Sequence, residues 1–275
     1  MQKYKLFCKT AKIPFITLKA KKSFGQHFLN REDIARRIAD SLQWTDQYQR
    51  VIEVGPGRGM LTQFLLEKDF DLLAVEADKD MVLYLNKYYP QLKDRIIAGD
   101  FLKLRFEEFL GDQPFGLIGN FPYNISSQII FKMLDYRQQV PELVGMFQKE
   151  MAERVVAGPG SKTYGAISVL TQAYYDGHYL FTVDKQCFTP PPKVQSAVIR
   201  LSRKTEQQLT CDPGLFKQVV KQSFGQRRKM LRNTMKSLVA DKSVLDGELF
   251  KRRPETLSVA EFVELTDYIE KHRKQ

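Results

Sequence analysis

The sequence is poor in the residues that build disulfide frameworks and metal centres. Its 275 residues include three cysteines, Cys8, Cys187 and Cys211, which lie far apart and form no C-x-x-C pair. This spacing argues against a disulfide scaffold and against a zinc site, and we expect no bound metal. A reducing compartment is the simplest setting for such a chain, so we expect a cytoplasmic protein.

Long apolar runs are also missing. No stretch approaches 18 uncharged apolar residues, so the sequence predicts no membrane-spanning helix. The first 22 residues are basic, but they lack an uninterrupted apolar core and a small-residue cleavage site. We interpret this segment as a disordered or nucleic-acid-contacting arm rather than a signal peptide, with a transit peptide as the alternative.

Acidic residues are absent from the amino-terminal end of the chain and outnumbered by basic residues at the other end. The whole chain carries 43 Lys and Arg against 32 Asp and Glu, a net charge of +11. Residues 1–26 contain seven lysines and no acid, residues 27–203 contain 21 basic and 22 acidic residues, and residues 204–275 contain 15 and 10. A near-neutral body between two basic ends predicts binding to a polyanion, either nucleic acid or an anionic membrane surface.

From about residue 50, short apolar runs alternate with amphipathic segments, which predicts an α/β fold with a parallel sheet covered by helices. The predicted parallel strands are Arg50–Val54, Leu72–Glu76, Arg95–Ala98, Gly116–Gly119 and Leu143–Gln148. The predicted helices are a first one capped by Asn30, then Met60–Lys68, Lys79–Tyr88, Ser127–Asp135, Lys149–Ala157 and Ala166–Tyr175. Two later β runs, Tyr179–Val183 and Ala197–Leu201, predict an antiparallel hairpin that ends the sheet.

Past Leu201 the sequence turns polar and loses its periodicity, which predicts a linker and a domain boundary near residue 205. Three more helices are predicted beyond it, at Leu215–Ser223, Arg228–Leu238 and about Val259–Lys271. We therefore expect a basic arm at residues 1–20, an α/β domain at residues 21–204 and a small helical domain at residues 205–275.

A glycine-rich turn follows the first strand of this sheet, with Gly55, Gly57 and Gly59 at alternate positions. Glycines there let the backbone turn tightly and let a ligand approach the main chain, so a nucleotide-like cofactor is expected. The spacing G-x-G-x-G differs from the dinucleotide fingerprint G-x-G-x-x-G. Because Glu53 would also repel phosphates, a cofactor without phosphates fits better.

Polar residues end the next three strands. Glu76 ends the second strand, 21 residues after Gly55, where a carboxylate can accept both ribose hydroxyls. Asp100 and Asn120 follow the third and fourth strands. A single residue of this kind is more often a turn or helix cap, but four strand ends in register favour a ligand site.

The segment LIGNFPYNIS places Asn120, Phe121, Pro122 and Tyr123 at the end of the fourth strand. It resembles the catalytic motif of adenine N6-methyltransferases, which use S-adenosylmethionine. The resemblance implies that the Asn120 side chain and a main-chain carbonyl of the 121–122 turn hold the target amine, while Tyr123 stacks on a flipped-out base. Pro122 stiffens this turn. The alternative is an ordinary strand-to-helix turn with Tyr123 in the core.

Four further segments extend the resemblance over about residues 20 to 270. They are KKSFGQHFLN, QKEMAERVVAGPGSKTYGAISVL, FTPPPKVQSAVIRL and SFGQRRKMLRNTM. In this order they resemble the ribosomal RNA adenine dimethyltransferase family, and within it the bacterial small-subunit branch. The resemblance implies a Rossmann-like methyltransferase domain and dimethylation of two adjacent adenines in a hairpin near the 3′ end of small-subunit RNA. It further implies the immature small subunit as partner and a monomer.

The resemblance also implies a set of site residues. The cofactor-binding residues are His27, Leu29, Gly55, Gly57, Glu76, Asp100 and Asn120. His27 stands where the family often has Asn, and the resemblance leaves open whether its side chain or its main chain binds the cofactor. Phe121 stands where Leu or Ile is common. Phe188 is a candidate second stacking partner for the base, with packing beneath the Pro-rich turn as the alternative.

The basic ends supply the candidate RNA-binding residues, Lys21, Lys22, Arg227, Arg228, Lys229 and Arg232. In the predicted helix, positions 228, 232 and 236 share one face. Two other functions stay open: a large-subunit methyltransferase of the antibiotic-resistance type, and a mainly non-catalytic assembly or transcription factor. FTPPPKVQS and FGQRRKMLRN favour the small-subunit branch, and the intact NFPY favours catalysis.

Overall fold

The computed structural model describes Lys21, residues 25–205 and residues 209–273. The predicted basic arm at residues 1–20 and the candidate RNA contact Lys22 therefore lie outside the described residues. In the part of the chain that is described, no helix is both long enough and apolar enough to cross a membrane.

Nine strands and eleven helices make up the described fold. The strands are β1 (Phe28–Leu29), β2 (Arg50–Val54), β3 (Asp71–Glu76), β4 (Ile96–Ala98), β5 (Phe115–Asn120), β6 (Glu142–Gln148), β7 (Tyr175–Val183), β8 (Phe188–Thr189) and β9 (Ser196–Arg203). The helices are α1 (Glu32–Ala39), α2 (Thr62–Leu65), α3 (Lys79–Tyr88), α4 (Glu107–Leu110), α5 (Ser126–Asp135), α6 (Lys149–Val156), α7 (Ala166–Gln172), α8 (Pro213–Gly225), α9 (Leu231–Thr234), α10 (Glu248–Lys251) and α11 (Val259–His272).

Seven strands form one sheet in the order β4-β3-β2-β5-β6-β9-β7. The first five are parallel, β9 runs antiparallel to β6, and β7 runs antiparallel to β9. The central strands are apolar on both faces, as in the consecutive buried residues Val51 and Ile52 of β2, because helices cover both sides of a parallel sheet. The predicted α/β class, the parallel strand set and the terminal hairpin are confirmed.

The Pro-rich connection between β7 and β9 pairs with the segment around β1. Within it, β8 pairs with β1 as a separate two-stranded sheet. The prediction that Asn30 caps α1 is wrong, since Arg31 holds that position. Asn30 instead bonds the connection: its main-chain N–H donates to the Cys187 carbonyl at 2.9 Å, and its Nδ2 donates to Thr189 Oγ1 at 3.2 Å. The tertiary pairing with β8 takes the place of a local cap.

Two predicted helices of the α/β region are shorter in the structure. The predicted Met60–Lys68 helix contracts to α2. The predicted Ala166–Tyr175 helix ends at Gln172, because Tyr175 already belongs to β7 and pairs with Arg203. The Tyr175 side chain is fully buried and its hydroxyl donates to the Val140 carbonyl at 2.7 Å.

The predicted helix Arg228–Leu238 is wrong, since only the four residues of α9 are helical there. The chain leaves α8 at Gly225 and turns before Met230, which is extended at φ −66° and ψ 152°. Arg227 stabilises this turn by donating to the main-chain carbonyls of Ser161 and Lys162. Positions 228, 232 and 236 therefore do not share one helix face.

A continuous hydrophobic core joins the sheet to the carboxyl-terminal helices. It includes Phe147 of β6 and Val155 of α6, together with Phe216 of α8 and Phe262 of α11. Helix α8 packs against α7 on one side and α11 on the other. The boundary near residue 205 stays a prediction.

Two glycines on neighbouring strands make room for Phe121. The Phe121 ring is 1% exposed and packs edge-on against Phe147, with ring centroids 5.0 Å apart. A Cβ at Gly145 would lie 2.1 Å from the Phe121 ring and 2.7 Å from the Phe147 ring, and a Cβ at Gly119 would lie 2.8 Å from Phe121. Because these two positions lack side chains, the Phe121 ring can pack into the core directly after β5.

We expect Gly145→Ala to lower the free energy of unfolding by about 1–3 kcal/mol, because the added methyl group forces the Phe121 ring to move. Urea denaturation measures this change. The matched control is Gly158→Ala, where an added Cβ meets nothing within 4 Å. Equal midpoints for the two variants would contradict this account of the packing.

Candidate active site

A cavity of about 1610 Å³ opens at the carboxyl edge of the parallel strands. It is lined by the segment around β1, by the glycine-rich turn after β2 and by the ends of β3, β4 and β5. All seven predicted cofactor-binding residues line it: His27, Leu29, Gly55, Gly57, Glu76, Asp100 and Asn120. The fold therefore brings together residues that are up to 93 positions apart in the sequence.

The glycine-rich turn has left-handed backbone at each glycine, with φ of +70° at Gly55, +55° at Gly57 and +78° at Gly59. Aromatic rings close around it. A Cβ at Gly57 would lie 3.1 Å from the Phe28 ring, and one at Gly59 would lie 2.4 Å from the Tyr89 ring. A side chain at Gly57 would therefore crowd Phe28 in the cradle that the bare main chain leaves for a ligand, whereas a side chain at Gly59 would collide with the Tyr89 ring behind it.

Glu76 presents a fixed carboxylate at the wall of this cradle. Its Oε2 accepts from the Gly57 main-chain N–H at 3.0 Å, and its Oε1 accepts from the Asp78 N–H at 2.9 Å. Burial raises the pKa of Glu76, while these two hydrogen bonds oppose that change. Each oxygen keeps a lone pair for a further donor, as the two hydroxyls of a ribose require. The site therefore fits a nucleoside.

Asp100 lies at another part of the cavity, directly after β4. It is exposed, and its Oδ1 accepts from the Leu102 main-chain N–H at 3.0 Å. Its carboxylate can accept a hydrogen bond from the amine of a purine.

Glu53 also lines the cavity, but it is 1% exposed. Burial raises the pKa of its carboxyl group to about 8, although Thr62 Oγ1 donates to Oε2 at 2.6 Å. The carboxyl group is therefore mostly protonated near neutral pH. The sequence argument against a phosphate-bearing cofactor assumed an ionised Glu53, and the structure weakens it.

The Asn120 side chain is oriented by the main chain of His27. Asn120 Nδ2 donates to the His27 carbonyl oxygen at 3.0 Å. Because a carbonyl oxygen only accepts, the NH₂ group must face His27, which directs Oδ1 elsewhere as an acceptor. The turn beyond is fixed by Phe121 N–H, which donates to the Met146 carbonyl at 3.2 Å, and by Ile125 N–H, which donates to the Pro122 carbonyl at 3.2 Å.

Tyr123 is held at two points. Its hydroxyl lies 2.5 Å from Oγ of the fully buried Ser196, and its ring stacks on the His27 imidazole with centroids 5.4 Å apart and planes 26° apart. Burial raises the pKa of Tyr123, so the phenol stays neutral at physiological pH. A neutral ring fixed at its hydroxyl is suited to stacking rather than to proton transfer.

A family model described as ribosomal RNA adenine dimethylase matches residues 17–271. A protein of Parabacteroides distasonis called ribosomal RNA small subunit methyltransferase A is 57% identical over 257 residues, which cover 93% of this chain and 96% of that protein. A protein of the same name from Flavobacterium johnsoniae is 51% identical and covers 92% of this chain and 97% of its own. The chain belongs to the ribosomal RNA adenine dimethylase family.

Solved structures agree with this fold. The crystal structure of a dimethyladenosine transferase from Plasmodium falciparum matches with a TM-score of 0.74 at 25% identity, over 89% of this chain and 98% of that one. The 23S rRNA methyltransferase ErmE matches with a TM-score of 0.63 at 22% identity, over 88% and 99%, and shows the fold alone. The Rossmann-like α/β fold expected from the sequence is confirmed.

Two aromatic residues singled out in the sequence do not present their rings to the cavity of this dimethylase. Phe121 lines the cavity, but its ring packs into the core against Phe147. Phe188 is 2% exposed, pairs with Leu29 across β8 and β1, and is not among the described residues that line the cavity. The structure thus gives the alternative interpretation of Phe188, an aromatic packed beneath the Pro-rich turn, and does not place it for stacking on a base.

The candidate RNA contacts divide into paired and exposed residues. Lys21 Nζ lies 2.6 Å from Asp78 and 2.7 Å from Asp80, so its charge is already matched by two carboxylates, and the structure does not favour it as a phosphate contact. Arg227 donates to main-chain carbonyls. The exposed members of the set are Arg228, Lys229 and Arg232.

Two lysines near the end of β6 were not predicted from the sequence as RNA contacts. Lys149 directly follows β6, and its main-chain N–H donates to the Gln195 carbonyl at 2.9 Å. Lys193 is exposed in the Pro-rich connection, two residues before Gln195. The signal for Lys149 was available, because Gln148 ends the fifth predicted strand and the next residue must lie at the same edge as Asn120.

Residues of the types that bind metals occur throughout the described part of the chain. Among them, no group of three or more His, Cys, Asp or Glu side chains is arranged to hold an ion.

The raised pKa of Glu53 predicts a stability that falls with pH. Between the unfolded pKa of 4.5 and the folded pKa of about 8, the folded chain holds a proton that the unfolded chain releases. This contribution is complete at low pH and is lost as pH rises through about 8. We expect the unfolding free energy to fall between about pH 4.5 and about pH 8 and to level off above that range, and Glu53→Gln, which stays neutral, to reduce that fall.

Urea denaturation across this pH range measures the effect. Glu264→Gln is the matched control, since Glu264 is exposed on α11. Parallel pH profiles for wild type and Glu53→Gln would contradict the assignment of the proton to Glu53.

Proposed function

We propose that the chain transfers methyl groups from S-adenosylmethionine to N6 of two adjacent adenines in a hairpin near the 3′ end of small-subunit ribosomal RNA. The main support for this proposal is the orientation of the Asn120 amide. The His27 carbonyl fixes this amide beside a cavity suited to a nucleoside. The relatives named ribosomal RNA small subunit methyltransferase A, at 51–57% identity, support the small-subunit substrate over the large-subunit alternative.

The cofactor would bind along the carboxyl edge of the sheet. Glu76 would accept from the ribose hydroxyls, Asp100 from the adenine amine, and the bare main chain at Gly55 and Gly57 would face the ligand. The main chain around Leu29 would cover it. Bound there, S-adenosylmethionine supplies an electrophilic methyl group on a sulfonium.

The target amine would be held by two acceptors. An aromatic amine is a poor nucleophile because its lone pair is delocalised into the ring, so its orientation matters. Asn120 Oδ1 would accept one N–H. The Phe121 carbonyl would accept the other, since the neighbouring Pro122 carbonyl already accepts from Ile125. These contacts direct the lone pair at the methyl group, and positioning is then the main contribution to the rate.

A dedicated general base is not required. The methylated nitrogen is a strong acid, so its proton can leave after the methyl group has been transferred. Tyr123, a neutral phenol, provides a stacking surface. In the second round the amine has a single N–H, so one of the two acceptors is enough and the other must tolerate the first methyl group.

The exposed cations would hold the RNA backbone. Arg228, Lys229 and Arg232 would bind phosphates away from the cavity, and Lys149 and Lys193 would add further phosphate contacts. We propose that residues 21–204 form the methyltransferase domain and residues 205–275 the helical RNA-contacting domain. The protein would act as a monomer on immature small subunits in the cytoplasm.

We expect Asn120→Ala to reduce methyl transfer by roughly 100-fold or more, since an amine that is misplaced by about 1 Å reacts slower by about that factor. Tritium transfer from labelled S-adenosylmethionine to undermethylated small subunits measures it. Asn86→Ala, at an exposed asparagine on α3, is the matched control. No incorporation by wild type, or full incorporation by Asn120→Ala, would refute the proposed function.

The RNA surface is tested by salt dependence. Replacing Arg228, Lys229 and Arg232 by Ala should lower the slope of log affinity against log salt by about 0.7–0.9 for each phosphate that the variant no longer neutralises. Fluorescence anisotropy with the labelled hairpin measures the slope.

The control removes the same charge from Lys242, Lys251 and Arg253, which are exposed elsewhere in the same region. If both triple variants changed the slope equally, the effect would come from net charge and not from this surface.

A further inference from the structure

His27 contacts three separate parts of the candidate active site. Its main-chain carbonyl accepts from Asn120 Nδ2 at 3.0 Å. Its imidazole stacks on the Tyr123 ring, and its Nδ1 lies 2.8 Å from the Pro190 carbonyl oxygen. The sequence suggested only a cofactor contact for this residue, through either its side chain or its main chain.

The imidazole is fixed rather than free to swing. Because the Pro190 carbonyl only accepts, Nδ1 must carry a proton and donate to it. The next two residues pair with β8, Phe28 with Thr189 and Leu29 with Phe188, so the backbone that carries the ring is held as well. The ring is therefore anchored through its main chain and through one nitrogen.

We infer that His27 is a positioning residue: its imidazole supports one face of the Tyr123 ring, so that the target base stacks on the opposite face. This inference rests on the proposed function and adds to it the side of Tyr123 that receives the base. It gives the imidazole no part in proton transfer.

The alternative is that the imidazole merely occupies the place of the base and leaves when RNA binds. Its anchoring argues against this, since departure would break the bond to Pro190. The partner ring is fixed too, because the Tyr123 hydroxyl is bonded to Ser196, which is fully buried. Two rings that are both held in place form a rigid platform. Stacking of a base on this platform costs less conformational entropy than stacking on a mobile ring, because a mobile ring must itself be ordered.

Three substitutions separate the ring from its hydrogen bond. His27→Ala removes both, His27→Asn keeps a donor without a ring, and His27→Phe keeps a ring without a donor. All three keep the carbonyl that orients Asn120. We expect single-turnover methyl transfer to the hairpin to fall about two- to tenfold in the Ala and Asn variants, the size of one aromatic pair, and to stay within about twofold of wild type in the Phe variant.

A second readout does not depend on transfer. In a hairpin with 2-aminopurine at the target position, stacking on Tyr123 quenches the fluorescence. We expect weaker quenching with His27→Ala and His27→Asn and restored quenching with His27→Phe. Binding of S-adenosylhomocysteine, measured by calorimetry, should fall less than transfer does, because the main-chain carbonyl is kept; an equal loss of both would assign the imidazole to the cofactor and overturn the inference. His178→Ala, at an exposed position on β7, is the control for loss of a histidine.

Three further results would overturn the inference: wild-type transfer and quenching in His27→Ala, no rescue by His27→Phe, or faster transfer in His27→Ala, as expected if the ring blocks the base. Circular dichroism checks folding, and the Asn variant replaces the Ala variant if the latter does not fold. Failure of the proposed function would look different, since wild type itself would then not methylate the hairpin.

Discussion

Parallel pairing of β2 to β6 is the constraint on which the candidate site depends. The register sets Glu76 opposite Ala98 and Asn120 opposite Met146, so the carboxyl ends of neighbouring strands reach one edge together. Since side chains alternate between the two faces of a strand, a slip of one residue would move every side chain of that strand to the opposite face of the sheet. Both faces are closely packed against helices, so each side chain would then meet neighbours that it does not fit, and the packing of the core thus sets the geometry of the site.

Hydrogen bonds between distant segments then close this edge into a cavity. The His27 carbonyl holds Asn120, Gln26 Nε2 donates to Asp78 at 3.1 Å, and Tyr123 shares a hydrogen bond with Ser196. Each bond joins segments that are far apart in the sequence, so the parts of the cavity wall near Glu76 and near Tyr123 depend on contacts that only the folded chain makes.

The sequence alone predicted those features of the fold and the site that depend on a local pattern. Strand periodicity located the parallel sheet, and the glycines and strand ends located Gly55, Glu76 and Asn120, because these features need only a strand and its next turn. It failed where the outcome depends on tertiary contacts. The burial of Phe188 follows from the pairing of β8 with β1, the neutralisation of Lys21 from two aspartates in a distant segment, and the absence of the helix at 228–238 from the turn that Arg227 fixes. No periodicity encodes such contacts.

The most direct test of the account is a structure of the chain bound to S-adenosylhomocysteine and to a hairpin with the target adenine. The account predicts that both ribose hydroxyls donate to Glu76, that N6 of the adenine donates to Asn120 Oδ1, and that the adenine ring stacks on the face of Tyr123 away from His27. A cofactor bound outside the carboxyl edge of β2 to β5, or an N6 atom out of hydrogen-bonding reach of Asn120, would contradict it.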